Sequence, residues 1–252
     1  AKATCFETGT NVWRRFDAWP PETAVATPFY LGEDGALTKT VPDEAEPTFD
    51  EYVSDPAKPV PYHPHIAMGM TREHMVDDQR FAATRPDVLV YATPPLEEDL
   101  TLAGPVRAQL WVSTSGTDSD WVVKLIDVYH GDFPNPDPNP AGLRMGGYQQ
   151  LVRGEPFRGK FREGFDNPQP FEPGVPTQVD FELPDVFHTF RRGHRIMVHV
   201  QSSWFPIADR NPQTFCDIYN CDASAFVKAT QRVYRSAGRA SCVVLPVLRS
   251  GF

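Results

Sequence analysis

The sequence predicts an all-β fold in which two antiparallel sheets pack face to face as a sandwich. Three observations carry this expectation. Apolar and polar residues alternate with period two through much of the chain, the pattern of a strand with one buried face. The apolar runs are short, and the 26 prolines among 252 residues, about twice the usual roughly 5%, punctuate them as loops between many strands would. No strand–helix–strand alternation is present from which a parallel sheet would be built.

Taken in order, the first strands fall at residues 4–7, 12–16, 29–31, 36–40 and 88–92. Over 106–112, Val106, Ala108, Leu110 and Val112 share one face while Arg107, Gln109 and Trp111 share the other. Residues 121–129 are almost continuously apolar, which fits a strand covered on both faces. Residues 148–153 follow. Then Val179, Phe181 and Leu183 alternate with Gln178, Asp180 and Glu182, and Ile196, Val198 and Val200 alternate with Met197, His199 and Gln201. These six apolar residues are expected between the sheets. Strands at 230–234 and 242–248 complete the set. Helical patterns are confined to 71–81 and 223–229, each long enough for two or three turns. The stretches 54–70 and 131–147 read as long irregular loops. No internal repeat appears, and residues 1–252 are expected to form one domain.

The net charge is −9 and the isoelectric point about 5.2. An acidic surface without a basic stripe disfavours nucleic acid as a partner and an anionic membrane surface. No apolar run reaches membrane-spanning length. The opening residues carry no run of signal-peptide length, and the strand-like start leads to the expectation that the chain begins inside a longer protein. Periplasmic or secreted location is expected, with a cytoplasmic one as the alternative. Cys5, Cys216, Cys221 and Cys242 contain no C-x-x-C pair, which argues against structural zinc. Disulfides are chemically allowed between Cys216 and Cys221, five apart, and between Cys5 and Cys242 if the first and last strands are neighbours.

Motifs for chemistry are sparse. No serine lies in the G-x-S-x-G context of a nucleophile elbow. His63-Pro64-His65 would bind a metal if a carboxylate joined it, but two exposed or backbone-bonded loop histidines are the simpler reading. Asp132, Asn135, Asp137 and Asn139 are calcium-friendly but lack EF-hand spacing. Asp118 and Asp120 form a conceivable acid/base pair, against the commoner turn aspartates. Neither metal nor cofactor is expected. Trp19-Pro20-Pro21 and Trp204-Phe205-Pro206 resemble sugar-stacking platforms, or else aromatics that close a core or pack on another domain. Asp209, Arg210 and Asn211 are expected to form a hydrogen-bonded corner after the strand at 195–202, satisfying backbone groups.

The run Gly193-His194-Arg195-Ile196-Met197-Val198, then Ser202-Ser203-Trp204-Phe205-Pro206, then Asp209-Arg210-Asn211-Pro212, resembles the C-terminal domain shared by cocaine esterases, X-Pro dipeptidyl-peptidases, glutaryl-7-aminocephalosporanic acid acylases and α-amino acid ester hydrolases. Phe6-Glu7-Thr8-Gly9-Thr10-Asn11-Val12-Trp13, Asp120-Trp121-Val122-Val123-Lys124-Leu125 and Gly146-Gly147-Tyr148-Gln149 are similar to other parts of it. The resemblance spans nearly the whole chain and is nearest the ester hydrolase and acylase branch. Cys216 and Cys221 depart from the pattern. It implies a galactose-binding-like jelly-roll β-sandwich with long loops and one or two short helices, packed on an α/β-hydrolase domain that carries the serine, aspartate and histidine. No catalytic residue carries over to this chain. The expected role is non-catalytic: to wall a substrate pocket and aid homo-oligomer assembly. Tyr62, His63, Trp204 and Phe205 are the candidates for a pocket wall or domain interface. The alternatives are a free-standing carbohydrate-binding module and an enzyme with an unrecognised site.

Overall fold

The computed structural model describes residues 1–43, 47–69 and 71–249. Its strands are β1 (Ala3–Glu7), β2 (Val12–Phe16), β3 (Ala24–Leu31), β4 (Leu37–Thr38), β5 (Phe49–Ser54), β6 (Val88–Ala92), β7 (Leu100–Thr114), β8 (Asp120–Val128), β9 (Gln149–Arg158), β10 (Thr177–Phe190), β11 (Arg195–Gln201), β12 (Ala229–Ser236), β13 (Arg239–Ala240) and β14 (Cys242–Leu248). An eight-stranded sheet has β7 at its centre. β10 pairs along one edge of β7, while β14 and β12 share the other. A four-stranded sheet runs β6-β11-β8-β9, and β1 and β2 form a separate ribbon. All these strand pairings are antiparallel.

The core lies between the two large sheets, as the alternation requires. Val106, Ala108, Leu110, Val112, Val179, Phe181 and Leu183 from one sheet meet Trp121, Val123, Leu125, Ile196, Val198 and Val200 from the other. Phe157 and Phe181 stack across the gap with centroids 4.9 Å apart. β10 continues seven residues past the predicted alternation. Pro184 and Asp185 sit in a bulge, two residues opposite the single Pro105 of β7. The extra residue inverts side-chain parity, so that Val186 and Phe190 point inward after it, and prolines without an N–H are tolerated where ladder bonds are already broken. Gly104, at φ 133°, lies where a Cβ would come within 3.1 Å of Pro20.

The helical expectation needs correction. Residues 71–81 hold only a 3-10 turn at Glu73–Met75 and the first residues of a four-residue helix, α1 (Arg80–Ala83). The backbone between them is taken by β9 instead: Gln79 N–H donates to Gln149 O at 2.9 Å, and Asp78 bridges to Gln150. Residues 223–229 form a 3-10 turn at Ala223–Ala225 and then enter β12.

Candidate functional site

The outer face of the four-stranded sheet is covered by the chain itself. Residues 60–69 and 71–82 cross it as a strap, tied down at both ends. At one end Tyr62 N–H donates to Phe205 O at 2.8 Å, Phe205 N–H to Val60 O at 2.9 Å, and Val60 N–H to Ser203 Oγ at 2.8 Å. At the other end Tyr148 Oη donates to Val76 O. Tyr62, Trp204 and Val122 pack together beneath this strap. Gly154 makes room for the Trp204 ring, since a Cβ there would lie 2.8 Å from it.

The structure therefore brings Tyr62, His63, Trp204 and Phe205 into one neighbourhood but at different depths. Tyr62 and Trp204 are buried, and Tyr62 Oη donates to Gly69 O at 3.0 Å. His63 Nδ1 bonds the Asp77 carboxylate, and Phe205 is exposed. The outer surface of the strap adds apolar side chains that sequence reasoning passed over: Ile66 and Met68 are fully exposed, and Met75 and Val76 are largely so. Neither aromatic cluster forms a flat platform. Trp204 is buried, while Trp19 packs tilted against Phe16 and edge-on against Phe187 and donates to Asp185.

Under the strap lies an unanticipated polar pair. Lys124 and His199 face each other across β8 and β11, both fully buried. Lys124 Nζ donates to Gln79 Oε1 at 3.0 Å and sits 4.8 Å from the Trp204 ring centroid. Burial lowers its pKa to about 7. Neither ring nitrogen of His199 has a hydrogen-bond partner among the described residues, and burial, followed by the Lys124 charge, lowers its pKa to about 3. The only signal in the sequence was a lysine inside the most apolar strand.

The corner at 209–211 works through side chains more than through backbone. Arg158 grips Asp120 with two bonds, at 3.0 and 3.1 Å, and reaches Asp209 Oδ1 at 3.0 Å. Asn211 Nδ2 donates to Asp120 Oδ1 at 2.7 Å. Arg210 alone satisfies a distant backbone group, donating to Pro56 O at 3.0 Å. Asp118 is fully buried, accepts Ser119 N–H at 2.8 Å, and is pushed up to about 6 by burial, with the Asp120 charge adding. Asp118 is therefore closed to solvent.

A Thr–His–Asp chain does exist. Thr8 Oγ1 lies 2.8 Å from His188 Nδ1, His188 Nε2 lies 3.1 Å from Asp127 Oδ2, and His194 Nδ1 lies 2.9 Å from Asp127 Oδ1. His188 and Asp127 are 1% exposed, and Thr8 Oγ1 also donates to Phe187 O at 3.0 Å. A nucleophile must be free and reachable. This chain is a buried strut that fastens the β1–β2 ribbon to the sandwich.

All four cysteines are free thiols. The condition for pairing Cys5 with Cys242 is not met: β1 pairs with β2, whereas β14 lies between β7 and β3. Cys216 and Cys221 are in contact, and burial, with the Cys221 thiol adding, raises Cys216 to about 11. His63 and His65 have ring centroids 5.5 Å apart, yet no group of three or more metal-ligating side chains converges among the described residues. In the 131–147 loop Asn135 and Asn139 bond backbone groups of Met145 and Leu143, closing their own turns.

A two-sheet domain whose buried polar groups serve as struts, with an apolar strap on its outer face, has the character of an accessory module. The chain belongs to the family of X-Pro dipeptidyl-peptidase C-terminal non-catalytic domains, whose model matches residues 2–244. It is 34% identical over 98% of its length to cocaine esterase of Rhodococcus sp. (strain MB1 Bresler), of which it spans 42%. Among solved structures, an aminopeptidase from a marine sediment Thaumarchaeota archaeon superposes with TM-score 0.89 at 47% identity, covering 98% of this chain. An α-amino acid ester hydrolase superposes with TM-score 0.88 at 44% identity, covering 97% of this chain. The chain spans 40% of each of these two.

Proposed function

We propose that this chain is the accessory domain of a serine hydrolase acting on α-amino acyl esters or amides. It packs on an α/β-hydrolase domain, and the strap, with His63 and Phe205 at its rim, walls part of the substrate pocket. The observation that carries this reading is its likeness, above 40% identity, to an aminopeptidase and an α-amino acid ester hydrolase that are each about two and a half times longer. Acyl transfer needs an activated nucleophile, a base and an oxyanion hole, and the additional length of the relatives leaves room for all three. The exposed apolar residues of the strap suit a surface that is covered in the whole protein.

The test uses the full-length protein and this chain alone, with aminoacyl p-nitroanilides and esters as substrates. The full-length protein turns them over, a serine-directed phosphonate labels a serine outside residues 1–252, and Phe205→Ala raises KM with little change in labelling rate. Turnover by the chain alone, or a labelled serine within it, overturns the reading.

A further inference from the structure

The β1–β2 ribbon is the least self-sufficient element of the molecule. It has five residue pairs and belongs to neither large sheet. A lone two-stranded ribbon is marginal in water, yet this one is firmly anchored at its turn. Thr8 N–H donates to Phe187 O at 3.0 Å, and Thr189 N–H donates to Thr8 O at 2.9 Å. The buried Glu7 carboxylate accepts from Thr189 Oγ1 at 2.6 Å, Thr10 Oγ1 at 2.7 Å and Arg14 Nε at 2.7 Å. A Cβ on Gly9 would collide with Thr189 O, so the turn sits hard against β10. Rigid anchoring of an otherwise exposed ribbon is what a docking element needs, because little order remains to be gained on binding.

The side chains it presents are apolar and aromatic. Trp13 is 67% exposed, Phe6 40% and Val12 43%, and Phe6 and Trp13 pack edge-on as a cross-strand pair with centroids 5.2 Å apart. Every residue of β2 up to Arg15 is exposed, and β2 pairs only with β1. An edge strand of this composition, left open, is an aggregation hazard that proteins ordinarily cover. Arg15, beside the aromatic pair in register with Thr4, forms no ion pair among the described residues. A tryptophan, a phenylalanine and a free arginine are the residue types that dominate interface energetics.

We propose that the β1–β2 ribbon is a docking clamp for the catalytic portion of the same polypeptide, with Phe6 and Trp13 entering an apolar groove and Arg15 meeting a carboxylate at its rim. This rests on the accessory-domain reading given above. The occupant follows from two observations. The family's domain is a C-terminal one, so the remaining part of the relatives precedes it. The chain spans 40% of the two solved relatives, which leaves a partner large enough to cover the ribbon. The clamp also joins the strap face through continuous contacts: Thr8 to His188, Asp127 and His194, then the Tyr129 ring stacked on His194, then Tyr148 and Val76.

A photo-cross-linking residue in place of Trp13 in the full-length protein tests this, with the same residue in place of the exposed Lys228 as control. Irradiation should join position 13 to a peptide that precedes residue 1, within one polypeptide, while position 228 yields no such product. A cross-linked dimer from position 13, cross-links only to residues 1–252, or none at all overturns the clamp. Phosphonate labelling of the same preparations reports separately on the serine hydrolase reading. Absence of a labelled serine in the preceding portion defeats that reading even where the cross-link forms. A double variant, Phe6→Ser with Trp13→Ser, should separate one melting transition of the full-length protein into two. An unchanged single transition counts against the clamp.

Discussion

Lys124 occupies a strand position that has both faces covered, where an aliphatic side chain is the norm. Its pKa falls from 10.5 to about 7 through burial, so between these values the folded protein binds fewer protons than the unfolded chain. Stability then rises with pH through that window and is lost as pH falls toward 7. His199 acts in the same direction at lower pH. Its pKa falls from 6.5 to about 3, and stability is lost as pH drops from about 6.5 toward 3. Lys124→Met removes the first effect. Urea unfolding at about pH 7 and about pH 9.5 should show the unaltered protein gaining on the order of 2 kcal/mol more than the variant. Equal gains would refute the assignment. Arg158 presents the opposite case, a cation held by Asp120 and Asp209. Arg158→Met leaves Asp120 buried with Asn211 as its remaining side-chain donor. The expected cost is about 3 kcal/mol, read as a lower urea midpoint at neutral pH, and a loss below about 0.5 kcal/mol would contradict the buried-pair account.

At the scale of elements, the strap depends on one aromatic side chain. Trp204 fills the space above Gly154 and Lys124. Trp204→Ala should cost about 3–5 kcal/mol and expose the strap to limited proteolysis between residues 63 and 76, with the sandwich strands still protected. Uniform cleavage throughout the chain would mean that Trp204 supports the whole fold and not the strap. The strap also marks where local reading failed. Residues 71–81 carry a helical pattern, but the Gln79 amide is committed to β9, seventy residues away, and no helix can also use it. The β10 bulge is the complementary case. Its alternation reads clearly to Leu183 and breaks there, because one extra residue inverts the parity on which the reading depends.

For the whole molecule, the apolar ribbon and strap are exposed together with a net charge of −9. Charge favours solubility, while open apolar edges favour association. Residues 1–252 alone should show concentration-dependent sedimentation from about 1 to 100 µM, reduced by Trp13→Ser and absent at that surface in the full-length protein. A monomer across this range would show that the ribbon tolerates solvent. The cysteines bear on the molecule's chemistry as well. A Cys216 thiol raised to about 11 is protonated and weakly nucleophilic near neutrality. In the reduced native protein it should alkylate more slowly than a free thiol of ordinary pKa near 8.5, and equal rates would argue against its half-buried setting beside Cys221.

The sandwich class, the two inner faces and the family were all written locally in the sequence. Period-two alternation in β7, β10 and β11 marks which side chains turn inward, and the 193–212 motifs carry the kinship. The continuous apolar run at β8 told correctly of cover on both faces, but not what would cover it. Tertiary structure alone decided that the strap lies over that face, that Lys124 and His199 meet beneath it, that Arg158 reaches back to Asp120, and that β1 and β2 stand apart from both sheets. Each depends on pairing between residues far apart in the chain. Alternation and turn chemistry report a residue's near neighbours, whereas burial of a charge or exposure of an aromatic is set by whichever distant segment arrives.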